Sequence, residues 1–336
     1  MSALAAAGEG RADRLIMHGA DPAISIIVPN WEGEQYLPKC LSSLQISANE
    51  AGIAWELIVV DDASRDGSAA LVTERFPGAR LIRNKRNEGF ARAVNRGAKA
   101  ARGAVLVLAN NDLVAEQKFV REVTRPFFSP AGDLPRGVLG DRLFGVSART
   151  VRWYDGQPNQ LCMGAVWRGG RITPAYASPS QTSPCLFVQA GAAAYDAQLF
   201  RDLGGLSRLY EPGYWEDYDL SWRAAKRGWF SLYAPEALAI HHGGGSMTKR
   251  FGEARVRQMK ARNHLVFEMA NMTSPRLFLE WLARIPISAM RDGIYRRGMW
   301  DALRGLMPIA SARMKNRGLF TDEMLLESYR EFTPSF

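Results

Sequence analysis

Apolar and polar positions follow two alternating periods along the first third of the chain. Ile24–Pro29 (ISIIVP) is a short β-branched run closed by proline and predicts a buried parallel strand. Gln35–Leu44 carries its apolar residues at helical spacing. Glu56–Val60 (ELIVV) predicts a second strand that ends at Asp61-Asp62. Asp66-Gly67-Ser68 opens a helix through Arg75, and Arg80–Arg83 is a short third strand. Phe90–Ala101 predicts another helix, and Ala104–Leu108 (AVLVL) a fourth strand ending at Asn110-Asn111-Asp112. Strands alternating with helices in this way imply right-handed βαβ units and a mostly parallel sheet, an α/β, Rossmann-like architecture.

The pattern then loosens. Between Pro126 and Pro184 the chain is rich in Gly, Pro and Arg and predicts an inserted, loop-rich region with short β-like pieces. Leu186–Tyr195 is again strand-like, and Asp196–Leu203 is a short helix ended by Gly204-Gly205. A helix-like segment from Glu216 stops at Gly228, and a strand-like run follows into His241-His242 and the turn Gly243-Gly244-Gly245. After Ser246 a basic helical segment runs to about Met272. Leu277–Arg317 then mixes Trp281, Ile285, Met290 and Trp300 with Arg284, Arg291, Arg297 and Arg304. The expected division is a loose Ala/Gly-rich tail (1–22), an α/β domain (23–246) and a helical, basic C-terminal extension (247–336).

The composition, 47% hydrophobic and 23% charged over 336 residues, suits one large α/β domain with an appendage. No run approaches the roughly 18 apolar residues of a spanning helix. The N-terminus lacks the basic-then-apolar order of a signal peptide. Cys40, Cys162 and Cys185 are odd in number and widely spaced, which fits neither a disulfide framework nor a zinc site and points to a reducing cytosol. Charge changes the picture more. Residues 1–222 are neutral, with 24 basic and 24 acidic side chains, whereas residues 223–320 hold 18 basic against 6 acidic. A basic second part on a neutral first part predicts contact with a polyanion: nucleic acid, anionic lipid or a lipid pyrophosphate. No nucleic-acid module accompanies the charge, so nucleic acid is not expected. The Leu277–Arg317 segment reads equally as an amphipathic interfacial surface against an anionic membrane or as a solvated helical cap.

In open α/β sheets, ligands bind beyond the carboxyl ends of the strands. Asn30, Asp61-Asp62 and Asn110–Asp112 all fall at such ends, which groups them into one site. Each also has a plainer explanation. Asp61-Asp62 could form an Asx turn capping the next helix. Acidic residues at a helix N-terminus gain about 0.3–1 kcal/mol each from the dipole, which suffices to explain Asp219. An adjacent histidine pair is more often surface or core than ligand.

Three blocks taken together favour the functional reading: ISIIVPNWEGEQYLPKCLSSLQ with ELIVVDDASRDGS, RNEGFARAVNRGAKAARGAVLVLANND, and PGYWEDYDLSWRAAKRGWFSLYAPEALAIHHGGGS. Over roughly residues 24–265 they resemble family 2 glycosyltransferases, the inverting enzymes of the GT-A fold. The resemblance implies that Pro29, Asn30, Glu32, Asp61 and Asp62 hold base and ribose, that Gly89 begins a helix near the nucleotide, and that Arg92 reaches a phosphate. Asn110, Asn111 and Asp112 stand where the family carries Asp-x-Asp, close to the Asn-Pro-Asp variant of rhamnosyltransferase-like members. Asp112 would then be the charged ligand of Mg2+ or Mn2+, joined by His242 or, as second choice, His241. The three glycines would let the backbone approach a diphosphate. Asp217 matches the catalytic base, with Glu216 beside it and Trp215 and Gly191 on the acceptor side. Arg262-Asn263-His264-Leu265 is similar to an Arg-Asn-x-x segment of rhamnosyltransferase-like members.

The implied function is inverting transfer of a sugar, rhamnose among the candidates, from a nucleotide donor to a hydroxyl of a saccharide or lipid-linked saccharide. The implied place is the cytoplasmic face of the membrane, in cell-surface polysaccharide synthesis. Asn110 in place of a carboxylate keeps open a catalytically silent saccharide-binding protein of the same fold. The acidic PNWEGEQ turn argues against a nucleotidyltransferase.

Overall fold

Every residue of β1 (Ile24–Asn30) is buried, as a strand covered on both faces must be. In the computed structural model, which describes residues 22–130, 133–135, 139–159, 161–242 and 246–332, this strand lies inside a mixed nine-stranded sheet. The expectations for residues 1–21 and for Gly243-Gly244-Gly245 lie outside the described residues. Across the sheet run β3 (Arg80–Arg83), β2 (Trp55–Asp61), β1, β4 (Val105–Ala109), β10 (Ala192–Asp196), β6 (Arg142–Arg152), β11 (Trp229–His241) and β5 (Leu113–Ala115). β9 (Ser183–Cys185) adds to β11. β1 is parallel to β2 and β4, and its last residue Asn30 sits opposite Asp61. β10 is antiparallel to β4 and β6, whereas β6 and β11 are parallel.

The first half follows its hydrophobic pattern. Helices α1 (Leu37–Ala51), α2 (Ser68–Arg75) and α3 (Phe90–Ala100) alternate with β1–β4. The region from Pro126 to Pro184 departs from expectation. It supplies β6, an eleven-residue strand in the interior of the main sheet, and a hairpin of β7 (Leu161–Arg168) and β8 (Arg171–Ala177). The arginines that give β6 a loop-like composition lie toward its ends, while Phe144, Val146 and Ala148 between them are buried. Of the strand-like run Leu186–Tyr195, only the part from Ala192 is strand.

Helices α4 (Phe119–Phe128), α5 (Ala197–Asp202) and α6 (Glu216–Lys226) precede the C-terminal part. That part is helical, as expected: α7 (Ser246–Phe251), α8 (Glu253–Asn271), α9 (Pro275–Arg291), α10 (Gly293–Leu303), α11 (Leu306–Lys315) and α12 (Asp322–Ser328). These helices share a core with the sheet domain. Leu265, Phe267, Leu277 and Trp281 cluster with Phe187, Tyr210 and Trp222. Lys226 of α6 and Asp322 of α12 form an ion pair at 2.7 Å with both side chains essentially inaccessible. Among the described residues no helix is long and apolar enough to cross a membrane.

Trp281 therefore does not belong to an exposed interfacial face. It is 3% exposed and its Nε1 donates to Glu268 Oε2 at 2.9 Å, because α9 turns this side chain onto α8. Trp300 and Met290 are exposed, at 59% and 75%. Trp281→Ala should cost about 3–5 kcal/mol through the cavity and the unpaired carboxylate it leaves. Trp300→Ala should stay within about 0.5 kcal/mol. Urea unfolding of the two purified variants measures the contrast; equal midpoints would contradict the packing.

Candidate active site

The strand ends converge as the topology demands. Asn30 Nδ2, at the end of β1, donates to Asp61 Oδ1 and to Ser64 Oγ, both at 3.2 Å. Its Oδ1 accepts from Asn111 Nδ2 at 2.8 Å, which ties the β1 end to the turn after β4. Asp61 is fully buried with Arg83 at 3.5 Å and supports Asn30 from behind; it does not face the cavity. Asp62 accepts from Asn84 Nδ2 at 2.6 Å, from Glu88 N and from Gly89 N at 2.7 Å. One carboxylate thus fixes the loop that opens α3, where Gly89 adopts φ 89°, a value that favours glycine.

Asp112 follows that turn, and its Oδ1 lies 3.0 Å from His241 Nε2. Burial alone would raise the Asp112 pKa, but the hydrogen bond and charge of His241 outweigh it and hold the carboxyl below its ordinary value. Asn110 Nδ2 lies 3.5 Å from the same imidazole. Gly191 leaves room for Asn110: a Cβ there would meet its Nδ2 at 2.5 Å. A carboxylate, an imidazole and an amide at one cavity wall fit a divalent ion that takes its remaining ligands from phosphate and water. Among the described residues no cluster of three acidic, His or Cys groups exists to hold an ion without substrate.

Besides that for Asp61, expected at base or ribose, three expectations change. His242 is not the imidazole at Asp112. It stacks on Trp153 with centroids 4.3 Å apart and packs against Tyr36. Successive side chains in a strand face opposite ways, and pairing of His241 with Leu113 turns His241 to the cavity. Arg92, expected at a phosphate, lies outside the cavity lining, where its Nε donates to Glu211 at 2.8 Å. Glu32 also points away, accepting the Arg65 backbone N–H at 2.8 Å.

The opposite wall is the N-terminus of α6. Tyr214 and Trp215, immediately before it, both hold left-handed φ values, 74° and 77°. Such backbone is unfavourable by about 1–3 kcal/mol per residue and persists only where surroundings enforce it. The enforcement comes from α8. Asn263 Nδ2 donates to the carbonyls of Tyr210 and Gly213, each at 2.8 Å, and of Tyr214 at 3.0 Å. The Trp215 ring stacks on His264, 4.1 Å between centroids and 12° between planes. His264 Nε2 in turn contacts Ile172 O at 2.8 Å, and burial keeps its pKa down at about 4, so the ring is neutral.

This loop delivers Glu216 and Asp217 into the cavity. Burial, then the neighbouring Asp217, pushes Glu216 up to about 8. Burial also raises Asp217, to about 6, with backbone hydrogen bonds from Tyr218 and Ala190 partly offsetting it. Both carboxyls are thus raised, Glu216 further than Asp217, and ionising one disfavours ionising the other. Asp219, two positions on, points into the protein and is consumed by Tyr210, Asn271 and Arg223, in keeping with a structural role.

The cavity measures about 770 Å³ and is lined by Pro29, Asn30, Asp62, Gly89, Asn110, Asn111, Asp112, Gly191, Trp215, Glu216, Asp217 and His241, all named from sequence. Sequence reasoning missed Trp31, Tyr176, Arg250 and Lys260 as lining residues. Arg250 lies over the Trp31 ring at 4.4 Å and Lys260 over Tyr214 at 4.6 Å. The basic run after Ser246 was the available signal for both. Tyr176 had none, since it arrives on the β7–β8 hairpin.

Comparison with known proteins agrees with this geometry. Residues 25–201, more than half of the chain, match Glycosyl transferase family 2. An uncharacterized protein of Mycobacterium tuberculosis is 30% identical over 126 residues, 36% of this chain and 39% of that protein, so the chain spans well under half its length. The N-acetylglucosaminyl-diphospho-decaprenol L-rhamnosyltransferase of M. tuberculosis is 26% identical over 247 residues, 65% of this chain and 76% of the relative. Among solved structures, the mannosyltransferase PcManGT from Pyrobaculum calidifontis, in complex with GDP-Man and Mn2+, superposes with a TM-score of 0.52 at 19% identity. That match covers 98% of this chain and 93% of the other and extends the likeness of fold through the C-terminal helices.

The raised Glu216 pKa carries a stability consequence. As pH rises past the ordinary 4.5, the unfolded carboxyl ionises while the folded one stays protonated until about 8. The unfolded state then binds fewer protons, so stability falls across that window. Glu216→Gln removes the titration. Its Tm should exceed that of the native sequence by a few degrees at pH 8, with the gap shrinking toward pH 5. Differential scanning at both pH values checks this; a pH-independent gap would refute the burial of an ionisable Glu216.

Proposed function

The chain belongs to glycosyl transferase family 2, and from that premise we propose that it transfers a glycosyl group from a nucleotide-sugar donor to an acceptor hydroxyl, with inversion at the anomeric carbon. The observation that carries the reading is one cavity whose one wall is amides and Asp112 at strand ends, and whose other wall is the buried Glu216 beside the partly exposed Asp217. Asn30 and the Asp62-anchored loop at Gly89 would receive the nucleoside. The bases Arg250 and Lys260 would neutralise donor phosphate charge.

Asp217 is the general base. It is the ionised member of the pair at neutral pH and can take the acceptor hydroxyl proton as that oxygen attacks from the face opposite the leaving diphosphate. Glu216, protonated under the same conditions, leaves the base as the only charge of the pair and can donate a hydrogen bond to an acceptor oxygen. A single displacement needs no covalent nucleophile. Trp215, stacked and immobile, offers an apolar face for a sugar ring on the acceptor side. Asp112 and His241, with Asn110 beside them, would hold Mg2+ or Mn2+; the bound ion supplies electrostatic stabilisation of the leaving diphosphate.

A rhamnosyl donor and a lipid-linked diphosphate acceptor are supported by likeness to the mycobacterial rhamnosyltransferase, and the divalent ion by the Mn2+ of the mannosyltransferase complex. The excess of basic over acidic residues in 223–320 supports an acceptor presented at an anionic, cytoplasmic membrane surface. The surviving pair Glu216-Asp217 disfavours the silent-binder alternative, because holding two adjacent carboxyls in a partly desolvated cavity without a reaction to run is destabilising.

Asp217→Asn should lower transfer by about 10²–10⁴-fold while donor affinity, read by calorimetry, stays within about twofold. Native-like turnover in that variant would remove Asp217 from its role. In the native enzyme kcat should rise with pH through about 6, where Asp217 becomes ionised, and level off above it. Asp112→Ala should weaken donor binding when Mn2+ is present and change little in EDTA. If EDTA leaves native donor affinity unaltered, the phosphate charge is carried by Arg250 and Lys260 instead.

A further inference from the structure

A second cavity, a groove of about 1020 Å³, backs onto the loop that carries the catalytic carboxylates. Gly205, Leu209 and Glu211 line it, whereas Pro212 and Gly213 line the first cavity. On α8, Arg262 faces the groove while Ala261 and His264 face the first cavity. The groove is strongly cationic, and part of that charge is accounted for. Arg201 donates to the carbonyls of Ala98 and Ala101, and Arg223 to Asp219, Leu203 O and Gly205 O. Arg262 donates to Leu209 O, and Arg208 lies 3.5 Å from Glu211. The groove's carboxylates are engaged too: Asp202 by Gln198, Glu211 by Arg92, Asp219 as above.

Three cations are left over from these ion pairs: Arg227, Lys315 and Arg317 line the groove with no carboxylate at ion-pair distance among the described residues, and Arg227 has only the Trp229 ring beneath it, 5.6 Å to the centroid. Helix C-termini favour basic residues, which would explain Arg227 after α6 or Lys315 at the end of α11 singly. It does not explain why two helix ends and Arg317 of the following turn border one groove.

The neighbouring surface is apolar. α11 turns Pro308, Ser311, Ala312 and Lys315 into the groove, a helical i, i+3, i+4, i+7 stripe. Met307 and Met314, one residue to the N-terminal side of this stripe, form the adjoining stripe and are 83% and 70% exposed. Leu306 and Leu319 extend it at 45% and 83%. Cations without a carboxylate partner beside an exposed apolar ridge are the chemistry of an amphiphile with an anionic head.

We infer that this groove is a lipid-phosphate site: Arg227, Lys315 and Arg317 take the phosphate or diphosphate head, and the chain lies along Met307 and Met314. The inference rests on the transfer reading only in the choice of a lipid. Its test uses neither donor nor turnover, so failure of one leaves the other standing.

The test is co-sedimentation of the full chain with phosphatidylcholine vesicles with and without phosphatidic acid. The protein should prefer the anionic vesicles. Arg227→Gln/Lys315→Gln/Arg317→Gln should lower the partition coefficient by about 10- to 100-fold, given roughly 1 kcal/mol per basic residue near a charged surface. All three side chains are exposed, so the variant should fold, with a native-like Tm. Arg75→Gln/Lys99→Gln/Lys118→Gln removes equal charge from exposed positions on the N-terminal half and should bind like the native sequence. Equal losses in both variants would reduce the effect to net charge and overturn the site, as would unaltered binding in the groove variant. Met307→Ser/Met314→Ser should weaken vesicle binding but leave calorimetric binding of inorganic pyrophosphate intact. If it weakens neither, the groove takes a soluble phosphate and the lipid assignment is wrong.

Discussion

Two adjacent carboxyls, Glu216 buried and Asp217 partly so, stand at the start of one helix against their mutual repulsion and the loss of their hydration, and the surrounding loop and helices hold them there. The α6 dipole favours negative charge at that end by about 0.3–1 kcal/mol per group, too little to offset burial. Both pKa values are accordingly raised, that of Glu216 the further. The backbone that presents them, Tyr214-Trp215, is itself held in a left-handed conformation. A single amide, Asn263, gathers three carbonyls of this loop, and a neutral His264 closes the stack on Trp215.

That dependence explains the C-terminal helices. His264 is held by Glu268 on the next turn, and Glu268 is fully buried with Arg171, the Ile172 N–H and Trp281 as its partners. The hairpin strand β8, α8 and α9 therefore meet at one carboxylate. At the far end of α6, Lys226 is clamped by Asp322, Asn271 O and Thr273 Oγ1. The helix bearing Glu216 and Asp217 is fixed at both ends by residues beyond the sheet. A piece ending near residue 246 would lack all of these supports.

Much of the sheet was legible because its signals are local. A strand such as ISIIVP needs only its own composition to declare itself buried and parallel, and polar residues just past such strands must lie at the ligand edge. What was not legible depends on pairing between distant segments. β6 reads as loop because its arginines dominate its composition, and only its neighbours β10 and β11 make it a strand. The choice between His241 and His242 is one of strand parity, decided by register with Leu113, more than a hundred residues away. Trp281 looks interfacial in a basic, aromatic segment until Glu268 is seen to meet its indole. Arg92 sits where a phosphate contact is expected but is neutralised by Glu211, a partner that nothing near it in sequence announces.

The Asn110-Asn111-Asp112 turn illustrates how amides can stand in for carboxylates at such an edge. Asn111 donates to Asn30 and so builds the wall that joins β1 to β4, a bond a carboxylate could not donate. Asn110 is confined by Gly191 and lies beside His241, where a second carboxylate would stand close to Asp112 and raise its pKa. With one carboxylate the wall carries less negative charge. An anionic diphosphate bound there would meet less repulsion before any cation arrives, and Arg250 and Lys260, on the α7–α8 side of the cavity, would take a larger share of its charge. The basic character of the segment after Ser246 and the shortage of carboxylates after β4 are, on this account, two halves of one electrostatic balance.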